Sequence, residues 1–134
     1  MPYIEVLAPP LPLDRKAVLA KAMTRGLQSA FGVDAQTITL YFLPIAPGDY
    51  AHAGEIGTPD TAQRILLKVH AFRRSEVERR AAAVVLTAGI CRAYGVPGSD
   101  VAVYFLDRQK DEVAHDARLA SDMKEATRHG AFLQ

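Results

Sequence analysis

The chain repeats itself. Residues 2–43 and 65–106 align without a gap at an offset of 63 positions, with 11 identities in 42. Phe31-Gly32-Val33 recurs as Tyr94-Gly95-Val96, and Tyr41-Phe42-Leu43 recurs as Tyr104-Phe105-Leu106. An ungapped internal repeat restricts the fold to two like units packed on one another. Each unit opens with a short apolar stretch, Tyr3 to Leu7 and Ile65 to Val69, that reads as a strand. A helix follows in each. In the first unit Asp14 is the expected N-cap, and Val18, Leu19, Ala22, Met23, Leu27 and Ala30 recur at helical spacing. In the second, Ser75 and Glu78 form a capping box ahead of Ala81, Val84, Val85, Ala88 and Cys91. Gly32 and Gly95 supply the left-handed residue that ends a helix. The β-rich stretches Thr37 to Leu43 and Val101 to Leu106 close the units, giving β-α-β twice.

A crossover of this length joins parallel strands with right-handed chirality. The expected architecture is therefore α/β (α+β): a tandem β-α-β repeat forming one four-stranded sheet with two helices on one face. Apolar residues of both parities in Ile38 to Leu43 predict that the other face is buried too, which in so short a chain points to oligomerisation. One domain, 1–134, is expected, with units at 2–43 and 65–106. The stretch 44–64, rich in Gly and Pro, reads as a linker with turns. The tail 107–134 is polar, with a short helix expected from Asp111 to Ala120.

Composition excludes several classes of function. The 134 residues are 49% hydrophobic and 23% charged, the balance of a globular chain with its own core. Sixteen Lys and Arg stand against fifteen Asp and Glu, with no basic block, so no nucleic-acid partner is expected. The longest nearly apolar run, Ala81 to Cys91, is about half the ~20 residues a spanning helix needs, and the first residues lack the parts of a signal peptide. No membrane partner is expected. Cys91, the only cysteine, removes an intrachain disulfide and any multi-Cys zinc site, which suits a cytoplasmic location. His52, His70, His115 and His129 have no metal-ligand spacing, and neither a dinucleotide nor a P-loop motif is present. No cofactor or metal is expected.

The remaining chemistry lies at the first residues. Pro2 follows Met1 and opens the first strand, so removal of the methionine leaves a free secondary amine. That amine becomes a general base if burial and a neighbouring cation lower its pKa from the ordinary α-amino range of ~7.7 to 8.0. Together with the tandem β-α-β units, Pro2-Tyr3-Ile4 resembles the start of the tautomerase superfamily, whose members use an amino-terminal proline as base or acid. Pro44 to Tyr50 followed by Gly54-Glu55 resembles the loop after the second strand in the 4-oxalocrotonate tautomerase group, with Tyr50 at the place of an active-site phenylalanine. Arg74-Ser75-Glu76 resembles that group's helix-opening segment, whose arginine binds a substrate carboxylate. The layout is similar to the fused, two-unit members such as malonate semialdehyde decarboxylase and cis-3-chloroacrylic acid dehalogenase.

The resemblance implies a homotrimer, a small carboxylate substrate and cofactor-independent keto-enol isomerisation, with Pro2 and Arg74 as the catalytic pair. Arg73, Tyr50 and Tyr104 are the expected substrate-binding residues. The carry-over is partial. Arg73 falls one or two positions from where fused members carry their extra arginine. Tyr104 matches a tyrosine that helps the dehalogenase activate water, while its repeat mate Tyr41 argues for packing. His115 stands where that enzyme has a glutamate, Leu27 where it has a histidine, and Thr37 where the decarboxylase has an aspartate, which leaves dehalogenation and decarboxylation poorly supported; dehalogenase, hydratase or decarboxylase chemistry is the first alternative. A second alternative is a non-catalytic, trimeric small-carboxylate-binding protein in which Met1 is retained. His70 reads as a satisfied surface histidine, and Cys91 as a buried small hydrophobe.

Overall fold

The computed structural model describes residues 1–123. The chain runs β1 (Tyr3–Ala8), α1 (Leu13–Phe31), β2 (Thr39–Pro44), a small hairpin of β3 (Ala51–His52) and β4 (Glu55–Ile56), β5 (Ile65–Phe72), α2 (Glu76–Tyr94), β6 (Val101–Arg108) and a second hairpin of β7 (Ala114–His115) and β8 (Arg118–Leu119). The four long strands form one sheet in the order β2-β1-β5-β6. The pairs β1/β2 and β5/β6 are parallel, as each β-α-β crossover requires, and the units meet along antiparallel β1/β5. Glu5 pairs with Lys68, its own repeat mate, so the near-two-fold axis relating the units passes through that pair.

Strand alternation buries Ile4, Val6 and Ala8 of β1 and Ile65, Leu67 and Val69 of β5 against Leu19, Met23 and Leu27 of α1 and Leu86 and Ile90 of α2. Each of these side chains larger than Ala8 contributes about 1.5–3 kcal/mol by leaving water. The helices cross closely because Gly26 and its mate Gly89 both sit in the contact: a Cβ on Gly26 would lie 2.8 Å from Val85 Cγ2, and one on Gly89 3.5 Å from Leu19 Cδ1.

Both helices end as expected, on Gly32 at φ 64° and Gly95 at φ 67°. The Ser75 and Glu78 capping box is complete. Other expectations need correction. Helix α1 begins one residue before Asp14, with Pro12 at the cap position and no side-chain cap. The stripe expected inside α2 is out of phase. Ala82, Leu86, Gly89 and Ile90 are buried, Ala81, Val84 and Ala88 face outward, Val85 borders the contact with α1, and Cys91 is half-buried. Helix α2 is apolar on more than one side, so two stripes satisfied the helical period and only the sheet chose between them.

The stretch 44–64 is more than a linker, since it holds the β3/β4 hairpin. The helix expected from Asp111 to Ala120 is absent: a 3-10 turn at Lys110–Glu112 leads into the β7/β8 hairpin. That segment copies the first unit's hairpin at the same offset of 63, with Ala51-His52 recurring as Ala114-His115. Its turn places Asp116 at φ 51° and Ala117 at φ 62°, a pair without the glycine that usually announces such a hairpin. His129 and the end of the tail lie outside the described residues.

The far face of the sheet stays open in the single chain. Tyr41 is 55% and Tyr104 61% exposed, with Leu43 beside Tyr41 on β2. No described helix is long and apolar enough to cross a membrane, and no group of three or more metal-ligating side chains occurs among the described residues.

Candidate functional site

The near-symmetry exchanges the loops. The hairpin of the second unit lies at the start of β1, and the hairpin of the first unit lies at the start of β5. At the first junction is a cleft of about 890 Å³ lined by Met1, Pro2, Tyr3, Tyr41, Arg108 and His115, among others. At the second is a smaller one of about 360 Å³ with Tyr50, His52, Glu55 and Arg64 on its wall.

Pro2 is fully buried, and its carbonyl accepts a hydrogen bond from Thr39 N at 3.3 Å, which fixes the first turn of chain against β2. The amino terminus of Met1 is half-buried. That burial, and secondly the charge of Arg74, hold the amine below its ordinary value. Arg74, just after β5, is itself half-buried with its guanidinium 5.1 Å from the Phe31 ring centre. Burial lowers its pKa, partly offset by Glu78. Arg74 therefore sits within electrostatic reach of the amino terminus without forming part of the cleft wall.

The other expected binding residues lie elsewhere in the single chain. Arg73 is exposed and donates to Asp107 Oδ2 at 2.5 Å, while Arg79 donates to the other oxygen of the same carboxylate. Tyr50 belongs to the second junction, where its hydroxyl accepts from Arg64 N at 3.0 Å. The residue that occupies the matching place beside Pro2 is Val113, the repeat mate of Tyr50. Tyr104 projects from the open face of β6, opposite Lys68. His115 is exposed and lines the Pro2 cleft.

Three residues of this region escaped the sequence reading. His70 is 4% exposed, not a surface histidine. Its ring stacks on Tyr3, with centroids 4.2 Å apart and planes 5° from parallel. Its Nε2 lies 2.5 Å from Glu5 Oε2, and its Nδ1 lies 2.9 Å from Arg108 Nη2. A guanidinium only donates, so Nδ1 accepts, Nε2 carries the proton and donates to Glu5, and the imidazole is neutral. The result is a diagonal relay from β1 through β5 to β6 on the open face, ending on Arg108 in the cleft. The one signal pointing to it was the placement of Glu5, His70 and Arg108 on one parity of adjacent strands, legible only once the strand order was known.

No family model matches the chain, and no curated protein matches it. Solved structures do. A wild-type fused 4-OT, described as an asymmetric trimer, superposes with a TM-score of 0.82 at 18% identity, covering 91% of this chain and 98% of that one. Pt0534 inactivated by 2-oxo-3-pentynoate gives 0.81 at 22% identity, covering 91% and 98%. A member of the cis-3-chloroacrylic acid dehalogenase family gives 0.73 at 14% identity, covering 95% and 89%. The molecule thus has the tandem β-α-β fold of the fused tautomerases. At these identities the likeness is one of architecture over nearly the whole chain.

Proposed function

We propose that this chain is a cofactor-independent keto-enol tautomerase of small 2-oxo or 2-hydroxy-dienoic acids, with Pro2 as the general base once Met1 has been removed. One observation carries the reading: the amino terminus lies beside the cleft, is half-buried, and has its pKa lowered by burial and by Arg74. Removing Met1 moves the terminal nitrogen one residue inward, onto a proline that is already fully buried, so the same two causes act on it. The uncharged imino nitrogen takes the proton α to the substrate carbonyl. The C–H electrons pass into the carbonyl and leave a dienolate, and the nitrogen returns the proton to the oxygen, giving the enol, or to another carbon; in the enol-to-keto direction the nitrogen takes the O–H proton and returns it to carbon. Arg74 binds the substrate carboxylate and stabilises the charge as it develops. The chain works as a homotrimer, in keeping with the fused 4-OT trimer it superposes on, and Tyr50, Tyr104 and Arg73, which do not line the Pro2 cleft of their own chain, serve as binding residues only if a neighbouring copy supplies them. Activity alongside isomerisation, such as hydration, would draw on His115, which lines the cleft.

Pro2→Ala, with its processed terminus verified by mass spectrometry, is expected to lower kcat/KM for enol-to-keto conversion of phenylpyruvate or 2-hydroxymuconate by ~10²-fold or more, the usual share of a positioned base. Circular dichroism should stay unchanged. Wild-type kcat/KM should rise with pH through an inflection below ~7.7, because the depressed base is active only when deprotonated. Full activity in the variant overturns the assignment. A second reading rests on Met1 as it stands in the structure: while it remains, the Pro2 nitrogen is an amide and the cleft binds a carboxylate without turning it over.

A further inference from the structure

We propose that Arg108 binds a ligand carboxylate in the Pro2 cleft, and that the buried, neutral His70, tethered by Glu5, is the positioning residue that aims it. The inference rests on reading the cleft as a carboxylate site, but it needs no turnover. Arg108 is the arginine that shares a wall with Pro2, whereas Arg74 stands outside the lining.

Nothing about packing alone requires this arrangement. A half-exposed arginine at a strand end gains little from one hydrogen bond to a surface partner. Here the partner is a histidine 4% exposed, with both ring nitrogens engaged and its face stacked on Tyr3. Burying an imidazole and a carboxylate together costs free energy unless each polar atom is satisfied. The Glu5 carboxylate fixes the tautomer, because it accepts from Nε2 and so leaves the Nδ1 lone pair facing Arg108. That lone pair holds one N–H of a guanidinium that carries five, in a rigid planar fork suited to a carboxylate. The carboxylate in the lining of the cleft, Glu112, is engaged locally: its Oε1 accepts from Gln109 N at 2.8 Å in a capping arrangement.

The first-unit counterparts of Arg108 and His70 are Ile45 and Leu7, and Lys68 stands where Glu5 does. The relay therefore exists at one of the two junctions, the one that holds Pro2. A structural device of the sheet would be expected at both.

The test compares the wild-type chain with Arg108→Leu, His70→Phe, His70→Gln and Glu5→Gln. Fumarate binding is measured by calorimetry, and kcat and KM are measured separately with 2-hydroxymuconate. Arg108→Leu and His70→Phe should each weaken fumarate binding about tenfold or more, the worth of a charged hydrogen-bonded contact, and raise KM while kcat stays within about threefold. His70→Gln keeps one acceptor and one donor and should recover most of the loss. His70→Phe keeps the stack on Tyr3 but leaves Glu5 without its partner, so its melting temperature should fall; weakened binding measured well below that transition, and recovered in His70→Gln, separates aiming from folding. Glu5→Gln should weaken binding by a smaller factor than His70→Phe, since the amide permits the wrong tautomer without removing the ring. Fumarate that fails to bind the wild type, or binds Arg108→Leu equally well, overturns the proposal, as does identical behaviour of the Phe and Gln variants. Arg108-dependent fumarate binding in a wild type that shows no turnover would uphold this inference and sink the tautomerase reading.

Discussion

At the residue scale, one carboxylate ties the end of β6 to the start of α2. Asp107 accepts from Arg79 on one oxygen and Arg73 on the other. The hydrogen bond from Arg79, before that from Arg73, holds its carboxyl below the ordinary range. A carboxyl whose pKa is depressed by folding stabilises the native state above its unfolded value and loses that contribution as pH falls through the folded one. Asp107→Asn should therefore lower the melting temperature at neutral pH by a few degrees at most, as befits a partly exposed pair. The difference from wild type should close as the solution is acidified below ~3.9. A gap that persists in acid would assign the effect to something other than charge. The same pair explains why Arg73, next to the proposed carboxylate-binding Arg74, points away from the cleft in the single chain: Asp107 lies opposite Ala71 in the sheet and captures it.

Elements are held by packing that the repeat duplicates. Gly26 and Gly89 are repeat mates, and both allow α1 and α2 to approach closely about the near-two-fold axis. Ala at 26 gains helix propensity worth up to ~1 kcal/mol. Its Cβ, however, would sit 2.8 Å from Val85 Cγ2 and 3.1 Å from Val85 Cβ, and Val has little χ1 freedom in a helix. Overpacking of this kind typically costs ~1–3 kcal/mol, so Gly26→Ala should destabilise, while Gly89→Ala, whose added methyl meets Leu19 at an ordinary 3.5 Å, should be close to neutral. Denaturant midpoints of the two variants decide the matter; equal midpoints would mean the helices can slide apart freely. The outward stripe of Val77, Ala81 and Val84 shows why the α2 face was misread from periodicity: apolar residues surround the helix, and only its neighbours define an inside.

For the whole molecule, the open face of the sheet carries the consequence. Tyr41 and Leu43 on one edge strand and Tyr104 on the other are exposed on the sheet face away from the helices, with Glu5 and Lys68 between the two tyrosines. If the proposed trimer covers this face, sedimentation equilibrium should give three times the chain mass at micromolar concentration, and Tyr104→Lys should shift it towards monomer while the circular dichroism spectrum is retained. A monomeric wild type would leave the sheet face bare and remove neighbouring copies from the site. The loop exchange between units belongs to this scale too. Tyr50 and Val113 are one position in the repeat and two positions in space, at opposite junctions, so alignment alone could not tell which of them faces Pro2 within a chain.

The amino-acid order alone determined the two units, their long strands and helices and the glycine caps, because these depend on local spacing and on groups close along the chain. Strand order, the buried phase of α2, the second hairpin with its glycine-free turn, and the Glu5-His70-Arg108 relay were decided by the tertiary structure. The relay joins groups 38 and 65 residues apart along the chain, and a repeat that writes the same local pattern twice leaves strand pairing and the buried side of α2 open until the sheet closes; the second hairpin is local, but its turn carries no glycine to announce it.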